Sequence, residues 1–249
     1  VGRQGDLTLI CSEQIMESNR NLRFKATVGS KTQVAEDLYK VEFLLPAGAS
    51  CDFEPGQFMS IAVQGFVRRS YSIANPPSEK GKLVTFVDTV PGGPGSVFFR
   101  ELGEAREVDI LAPLGHFLYV PDQNPVYFFA TGVGIAPFVG MLRHELETIR
   151  SGREVALYYG VRHESQIIEP EMWSLLESKY PNFKFVPFVS RPSETWQGER
   201  GRITTAVSDL PTPKCDVYIC GGREVVEEVE KLLLEKGVAD ERIYYERFY

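Results

Sequence analysis

Guanidinium, hydroxyl and aromatic side chains alternate within one short segment in the first half of the chain. The segment reads Arg69-Ser70-Tyr71-Ser72-Ile73-Ala74-Asn75. Successive side chains of a strand point to opposite faces, so Arg69 and Tyr71 share one face while Ser70 and Ser72 share the other. A cation, a ring and hydroxyls placed in this way suit a planar, phosphorylated cofactor. An amphipathic strand with a surface arginine would show the same pattern.

Two glycine-rich segments could bind phosphate through their backbone. Pro91–Ser96 opens a helix, and Ala130–Pro137 joins an apolar strand to an apolar helix. Backbone N–H groups without side chains in front of them, together with the helix dipole, attract an anion such as pyrophosphate. The second segment lacks the third glycine of the common dinucleotide fingerprint, and Pro137 stands in its place. Plain structural turns are the alternative, with Ser96 as an N-cap in the first.

The last six residues, Tyr244–Tyr249, include four aromatic side chains and the carboxylate of Glu246. Terminal residues are usually frayed, so a chain that ends on Phe248 and Tyr249 suggests that these rings have a packing partner. An aromatic last strand that packs only in the core is the alternative.

The elements that carry the first two motifs indicate a β-rich first half. From about Leu22 to Val120, short strand-like runs are separated by Gly and Pro, which is typical of a small antiparallel barrel or sandwich. The predicted strands are Tyr39–Leu45, Phe58–Val63, Ser70–Ala74, Leu83–Val90 and Glu107–Leu111. One helix is predicted after Pro94, with Val97, Phe98 and Leu102 on a single face.

The turn-rich segment Pro121–Pro125 precedes a change to alternating strands and helices. The expected strands are Val126–Ala130, Glu154–Gly160, Phe183–Ser190, Asp216–Cys220 and Arg242–Phe248. The expected helices are Ala136–Arg150, Glu169–Tyr180, Thr204–Leu210 and Glu224–Lys236. This alternation predicts a doubly wound parallel sheet that binds ligands at the carboxyl ends of its strands. We therefore expect an N-terminal extension over 1–21, a barrel domain over 22–121 and an α/β domain over 122–249.

The motifs, in this order, resemble the ferredoxin–NADP reductase superfamily over about 220 residues. Its flavin motif, Arg-x-Tyr-Ser, matches Arg69, Tyr71 and Ser72, with Ser70 between them. The resemblance implies that Arg69 binds the flavin pyrophosphate, Tyr71 packs against the flavin and Ser72 hydrogen-bonds near its N5 atom. The family's phosphate-binding loop then corresponds to Gly93, Gly95 and Ser96. These matches imply noncovalent FAD, with FMN as the less favoured occupant.

The nicotinamide nucleotide motif of that family, Gly-x-Gly-x-x-Pro, matches Gly132, Gly134 and Pro137, with Thr131 directly before it. Ser190 and Arg191 resemble the adenosine-side contacts, and Arg191 could form a bidentate bond with a ribose 2′-phosphate. Because similar segments occur in relatives that use either nucleotide, the cofactor is NADH or NADPH.

Two further matches complete the implied active site. Cys220 and Gly221 correspond to a Cys-Gly pair beside the nicotinamide ring, although a buried thiol that merely ends a core strand is the commoner reason for a lone cysteine. Glu246 and Phe248 match the family's terminal Glu-x-aromatic, whose ring covers the flavin. Tyr249 is an additional residue, so either Phe248 or Tyr249 would be the cover.

The resemblance implies an enzyme that transfers hydride from NAD(P)H to FAD and then single electrons to a protein acceptor, such as a ferredoxin or an oxygenase component. The catalytic residues would be Ser72, Cys220, Glu246 and Phe248, and no general base or metal is expected. A flavoprotein subunit that lacks independent turnover is an alternative, and a non-catalytic interaction module is a second one. His116, His144 and His163 are interpreted as loop or helix-surface residues.

The composition excludes several other classes of protein. A formal net charge of −7 argues against general nucleic-acid binding, and no apolar run has the roughly 20 residues of a membrane span. The four cysteines do not have metal-ligand or disulfide-framework spacing, which favours the reducing cytoplasm. Gly5–Cys11 resembles the tail of a plant-type ferredoxin domain, so the chain is interpreted either as a fragment of a longer protein or as having an incidental Cys11.

Overall fold

The computed structural model describes residues 22–90 and 92–248, which form two six-stranded sheets. The extension over 1–21 with Cys11, the loop residue Pro91 and the proposed cover Tyr249 lie outside the described residues. The predicted combination of an antiparallel barrel and a parallel α/β sheet is confirmed.

The first sheet is antiparallel and has the strand order β4-β3-β6-β1-β2-β5. Its strands are β1 (Leu22–Ala35), β2 (Leu38–Leu44), β3 (Phe58–Gln64), β4 (Val67–Ser72), β5 (Lys82–Asp88) and β6 (Glu107–Leu114). Just beyond β4, the Ala74 N–H donates to the Val84 carbonyl of β5 at 2.8 Å, so the two edges of the sheet meet and it curls into a barrel. Helix α1 (Pro94–Glu101) packs Phe98 and Phe99 into the barrel core.

The second sheet is parallel and has the order β10-β9-β8-β7-β11-β12. Its strands are β7 (Val126–Thr131), β8 (Val155–Val161), β9 (Phe183–Val189), β10 (Glu199–Arg200), β11 (Asp216–Gly222) and β12 (Ile243–Phe248). The chain proceeds outward from β7 on one side and from β11 on the other. The order therefore reverses between β7 and β11, where the carboxyl ends of an open parallel sheet leave a crevice for ligands.

Helices cover both faces of the parallel sheet. They are α2 (Ala136–Arg143), which continues as a π-helical segment over His144–Ile149, α3 (Pro170–Lys179) and α4 (Arg223–Lys236). Shorter 3-10 segments are Gly132–Ile135, Glu164–Gln166, Ile203–Val207 and Asp240–Arg242. In the described part of the chain, no helix is long and apolar enough to cross a membrane.

Five sequence-based expectations differ from the structure. Strand β1 is absent from the predicted strands because its second half is polar, and β4 begins at Val67 rather than Ser70. Val97 is exposed, since α1 turns Phe98, Phe99 and Leu102 toward the barrel instead. The helix expected near Thr204 is a 3-10 segment. His144 is half-buried beside the barrel, which lowers its pKa, although Glu54 and Glu145 oppose this shift.

One apolar cluster crosses from the barrel to the parallel sheet, and we call this contact the domain seam. The barrel contributes Leu38, Ala74, Val84 and Phe86, which join a core formed by α2 and strands β7, β8 and β11. Ion pairs link the domains beside the seam, with Lys40 Nζ 3.0 Å from Glu169 Oε1 and Arg143 Nη1 2.7 Å from Glu79 Oε1. The seam fixes the orientation of the two sheets, because apolar surface buried on both sides resists separation.

A buried ionic network lies near the amino-terminal ends of the parallel strands. Arg153 is 1% exposed and forms ion pairs with Glu145 at 3.6 Å and Asp216 at 3.3 Å. Its guanidinium also donates to the hydroxyl of Tyr119, which donates in turn to Glu145 at 2.6 Å. Burial raises the pKa of Asp216, against the lowering effect of Arg242 and Arg153. The network connects the segment after β6 with the π-helical segment, the loop before β8 and the start of β11.

Replacing Arg153 by Ala should therefore destabilise the fold by about 3–5 kcal/mol, because two buried carboxylates would lose their shared cation. Urea unfolding of the wild type and the variant measures this free energy. Lys25→Ala is the matched control, since that lysine is 62% exposed in its pairs with Glu107 and Asp109. A loss for Arg153→Ala no larger than that of the control would contradict a structural role for the network.

Candidate functional site

Strand β4 brings the first motif to the glycine-rich start of α1. A Cβ atom on Gly95 would lie 2.5 Å from the Tyr71 hydroxyl and 3.5 Å from Arg69 Cγ, so only glycine permits this approach. The Tyr71 ring meets Phe99 edge-on at 4.9 Å, and burial raises its pKa to about 12 against the opposing effect of Arg69. Arg69 is exposed, and its Nη1 donates to the Arg68 carbonyl. The predicted pyrophosphate residues thus lie together.

The remaining residues of the two barrel motifs differ in exposure. Ser70 is exposed, while Ser96 is buried in the first turn of α1. Gly93 precedes that helix, and no atom lies within 4 Å of where its Cβ would be. The space beside Gly93 is therefore open, whereas Gly95 and Ser96 are buried against the barrel.

On the buried face of β4, Ser72 contacts the other domain. Its Oγ donates to Glu246 Oε2 of β12 at 3.3 Å, and its carbonyl accepts from the Thr85 hydroxyl at 2.9 Å. Glu246 pairs in register with Cys220 of the neighbouring strand β11. Three of the predicted catalytic residues, Ser72, Glu246 and Cys220, therefore meet between the barrel and the parallel sheet.

Burial controls the protonation of this group of side chains. Desolvation raises the pKa of Glu246, and the hydrogen bond from Ser72 opposes the shift. Cys220 is 1% exposed, and burial followed by the nearby Glu246 carboxylate raises its pKa well above the ordinary value. The thiol is thus held in its neutral form, and Glu246 is biased toward holding a proton.

Gly134 and Gly221 allow β7 and β11 to meet at their carboxyl ends. A Cβ on Gly134 would overlap the Cys220 carbonyl oxygen, and one on Gly221 would overlap the Thr131 hydroxyl. Gly132 has a φ of +53°, a left-handed conformation that favours glycine, and no atom within 4 Å of where its Cβ would be. The backbone is therefore closely packed at the point where the strand order reverses, and the space in front of Gly132 is empty.

A cleft of about 550 Å³ lies above this turn, between the barrel and the carboxyl ends of β7, β8 and β9. We call it the nucleotide cleft. Its floor includes Thr131, Gly132, Gly160 and Ser190, and Asp88 lies on the barrel side. It therefore occupies the place where open parallel sheets bind ligands.

Other predicted residues lie at or beside this cleft. Ser190 Oγ donates to the Val161 carbonyl at 3.4 Å, whereas Arg191 is exposed and is not among the residues that form the cleft walls. Pro137 is buried in the first turn of α2. Phe248 is half-buried, pairs in register with Gly222 and packs at the edge of the seam cluster.

No role was predicted from the sequence for Arg162 or Arg202, which line the cleft. Arg162 directly follows β8, so the rule that ligands bind beyond strand ends could have identified it. Arg202 follows Gly201, whose φ is +105°, but no local motif marks it. Within residues 22–90 and 92–248, no group of three or more His, Cys, Asp or Glu side chains is placed to hold a metal ion.

Comparison with known proteins divides the chain at the same place as the two sheets. The family described as "Oxidoreductase FAD-binding domain" matches residues 25–119, and "Oxidoreductase NAD-binding domain" matches residues 128–231. The electron transfer component of anthranilate 1,2-dioxygenase from Acinetobacter baylyi is 34% identical over 79% of this chain and 58% of its own length. The reductase subunit of an aromatic O-demethylase from Amycolatopsis is 33% identical over 90% of this chain and 68% of its own.

Solved structures agree with this assignment. An Amycolatopsis cytochrome P450 reductase superposes with a TM-score of 0.85 at 31% identity, covering 91% of this chain and 70% of that one. The FAD- and NAD-binding domain of a nitric oxide dioxygenase from Vibrio cholerae has the same fold, with a TM-score of 0.83 at 23% identity and 92% and 99% coverage. The chain spans little more than half to about two thirds of the curated relatives it matches. The chain therefore belongs to the ferredoxin reductase family of oxidoreductases, in which an FAD-binding barrel is followed by an NAD-binding α/β domain.

Proposed function

We propose that the chain is an FAD-dependent NAD(P)H oxidoreductase, and that Ser72, Cys220, Glu246 and Phe248 form its reaction site. The observation that carries this proposal is the contact of Ser72 with Glu246 at 3.3 Å, with Cys220 in register beside it. A serine from the flavin-motif strand thereby meets a carboxylate and a thiol from the nucleotide-binding sheet. These three side chains would therefore lie between the flavin of one domain and the nicotinamide ring of the other.

The barrel residues fit FAD. Arg69 would bind the pyrophosphate, and the start of α1 at Gly93, Gly95 and Ser96 would add backbone N–H groups and the positive end of the helix dipole. The missing Cβ at Gly95 supports this assignment, because it allows the phosphate loop to lie directly against the Tyr71 hydroxyl. Ser70, between Arg69 and Tyr71, is exposed on the same edge of the barrel.

The nucleotide cleft fits NADH or NADPH. Thr131, Gly132 and Gly134 would orient the nicotinamide half, with Pro137 starting the helix behind them, and Ser190 and Arg191 would contact the adenosine half. Gly221 supports this arrangement, since any larger residue there would collide with Thr131. Either nucleotide supplies its electrons as a hydride, and FAD can accept that pair and release single electrons.

The chain's own side chains prepare the site for this exchange. Glu246 and Ser72 can hold one proton between Oε2 and Oγ, and the neutral Cys220 thiol adds no charge beside an incoming ring. Phe248, at the edge of the seam cluster, would exclude water from the flavin and would move aside when the nicotinamide binds. Tyr249 is the alternative cover.

The electron acceptor is proposed from the named relatives, which are an electron transfer component of a dioxygenase and a reductase subunit of a demethylase. We propose a ferredoxin, an oxygenase component or a similar protein as the acceptor. A cytoplasmic location is supported by Cys51, Cys215 and Cys220, which are free thiols.

The proposed domain limits are 22–121 and 122–249. They are supported by the end of β6 at Leu114 and the start of β7 at Val126, and by the two matched ranges.

Anaerobic titration of the FAD-loaded chain with NADH and, separately, with NADPH tests the proposal. We expect loss of the oxidised-flavin absorption band with at least one nucleotide, and subsequent reduction of a one-electron acceptor such as ferricyanide. The ratio of the two kcat/KM values gives the preferred nucleotide. A protein that retains FAD but is reduced by neither nucleotide would contradict the proposed activity.

Arg69→Ala should weaken FAD binding about tenfold to a hundredfold, because a hydrogen bond to a charged group contributes roughly 1.5–3 kcal/mol. The free energy of unfolding should change by only about 0.5 kcal/mol, since Arg69 is exposed. Fluorescence titration of the FAD-free protein with FAD measures the affinity. Arg23→Ala, another exposed arginine of the barrel, should leave it unchanged. Equal FAD affinities in both variants would remove Arg69 from the pyrophosphate site.

Glu246→Gln should change how stability depends on pH. The folded-state pKa of Glu246 is raised, so the folded chain binds a proton that the unfolded chain releases above the ordinary value of 4.5. The contribution of this extra proton to the free energy of unfolding is thus fully present below pH 4.5 and is lost as pH rises through the raised pKa of Glu246. Glu246→Gln should lack this decline in stability. Ser72→Ala should move the decline to higher pH, because it removes the hydrogen bond that lowers the Glu246 pKa. Urea unfolding across this pH range measures the slopes, and parallel curves for wild type and Glu246→Gln would refute the assignment.

A further inference from the structure

Helix α2 rests directly on the backbone that follows the flavin motif. A Cβ atom on Gly140, in the middle of this helix, would lie 3.0 Å from the Asn75 carbonyl oxygen, 3.3 Å from that of Ile73 and 3.5 Å from that of Ala74. The first two distances are shorter than ordinary contacts of a Cβ atom, and main-chain oxygens cannot rotate away as a flexible side chain could. Gly140 therefore sets how closely the helix approaches the barrel.

The backbone under Gly140 is held in place from several directions. The Asn75 side chain accepts from the Val84 N–H at 2.8 Å and donates to the carbonyls of Glu79 and Lys82, each at 3.3 Å. One turn beyond Gly140, Arg143 forms its 2.7 Å ion pair with the Glu79 side chain. Because these contacts fix the loop after Asn75, an added methyl group at position 140 would displace the helix rather than the loop.

The segment from Gly134 to Gly140, which includes the start of α2, contacts the predicted nicotinamide strand at its other end. Gly134, six residues earlier, lies against the carbonyl of Cys220, where a Cβ atom would overlap it. Gly140 contacts the residues that follow Ser72 in the chain. One short unit thus touches the flavin-motif strand at one end and the predicted nicotinamide strand at the other.

We propose that Gly140 is a positioning residue that sets the separation between the flavin and nicotinamide sites, and with it the rate of hydride transfer. The inference rests on the proposed function for its kinetic part. Its structural part does not depend on that function: the position of α2 that Gly140 sets also determines the distance between Ser72 and Glu246. A shift of a few tenths of an ångström is enough to matter, since a misplacement of 1 Å can cost about a hundredfold in rate.

Gly140→Ala is the direct test, with Gly103→Ala as the matched control. Gly103 lies in the loop after α1, and no atom lies within 4 Å of where its Cβ would be. In anaerobic stopped-flow single turnovers, Gly140→Ala should reduce the flavin about fivefold more slowly at saturating NADH or NADPH. FAD content, and NAD⁺ or NADP⁺ affinity by calorimetry, should change less than twofold. Gly103→Ala should match the wild type in each measurement.

A readout independent of turnover is the crystal structure of Gly140→Ala as purified. The Ser72 Oγ to Glu246 Oε2 distance should exceed the 3.3 Å of the wild-type chain. Either a wild-type rate of flavin reduction or an unchanged distance would overturn the proposal. A wild type that neither nucleotide reduces would instead refute the proposed function, and the distance would still decide the role of Gly140.

If Gly140→Ala does not fold, Glu79→Gln tests the same contact without adding volume. This variant removes the barrel carboxylate that pairs with Arg143, leaving only the Glu147 pair within the helix, and should loosen the contact of α2 with the barrel at unchanged FAD content. Flavin reduction should then slow by about twofold, because the ion pair is partly exposed and contributes modestly. A rate equal to that of the wild type would overturn the proposal.

Discussion

The domain seam is made of apolar side chains that belong to two sheets but form one core. Phe86 and Val84 reach across from the barrel, and Phe138 and Met141 of α2 meet them from the nucleotide-binding side. Interfaces between domains of one chain are commonly polar and allow relative motion. Here the seam is packed like an interior, so the walls of the nucleotide cleft keep a fixed orientation. The group formed by Ser72, Glu246 and Cys220 depends on that orientation, because its members come from both sides.

Glycine allows close approach between segments around this site, either to backbone, as at Gly134, or to a side chain, as at Gly95 and Gly221. Gly134 and Gly221 bring β7 and β11 together at the reversal of strand order, and Gly95 brings the phosphate loop onto Tyr71. A Cβ atom would collide with the main chain of Cys220 at Gly134, and with a side-chain hydroxyl at Gly95 and Gly221. The glycines of the two motifs therefore have a packing role in addition to any contact with phosphate. This explains why they are found at strand and helix ends, where element meets element.

Local patterns were sufficient to predict the fold class, because the alternation of strands, turns and helices depends on neighbours within a few residues. Strand β1 was missed because hydrophobic alternation is lost after Val28, where pairing with β2 continues through polar residues. The hydrogen bond between Ser72 and Glu246 joins residues 174 positions apart, so it depends on the assembled seam. Arg202 has no local pattern either, since it reaches the cleft only through the fold of the chain after β10.

The seat of α2 on the barrel has a consequence for how such chains can diverge. The atoms that Gly140 approaches are the carbonyl oxygens of Ile73, Ala74 and Asn75, which every amino acid supplies equally. Side chains of the barrel surface outside the domain seam can therefore change while α2 keeps the same main-chain contacts. Recombination between relatives would tolerate differences in the barrel sequence, provided that the small residue on the helix and the apolar side chains of the seam are kept.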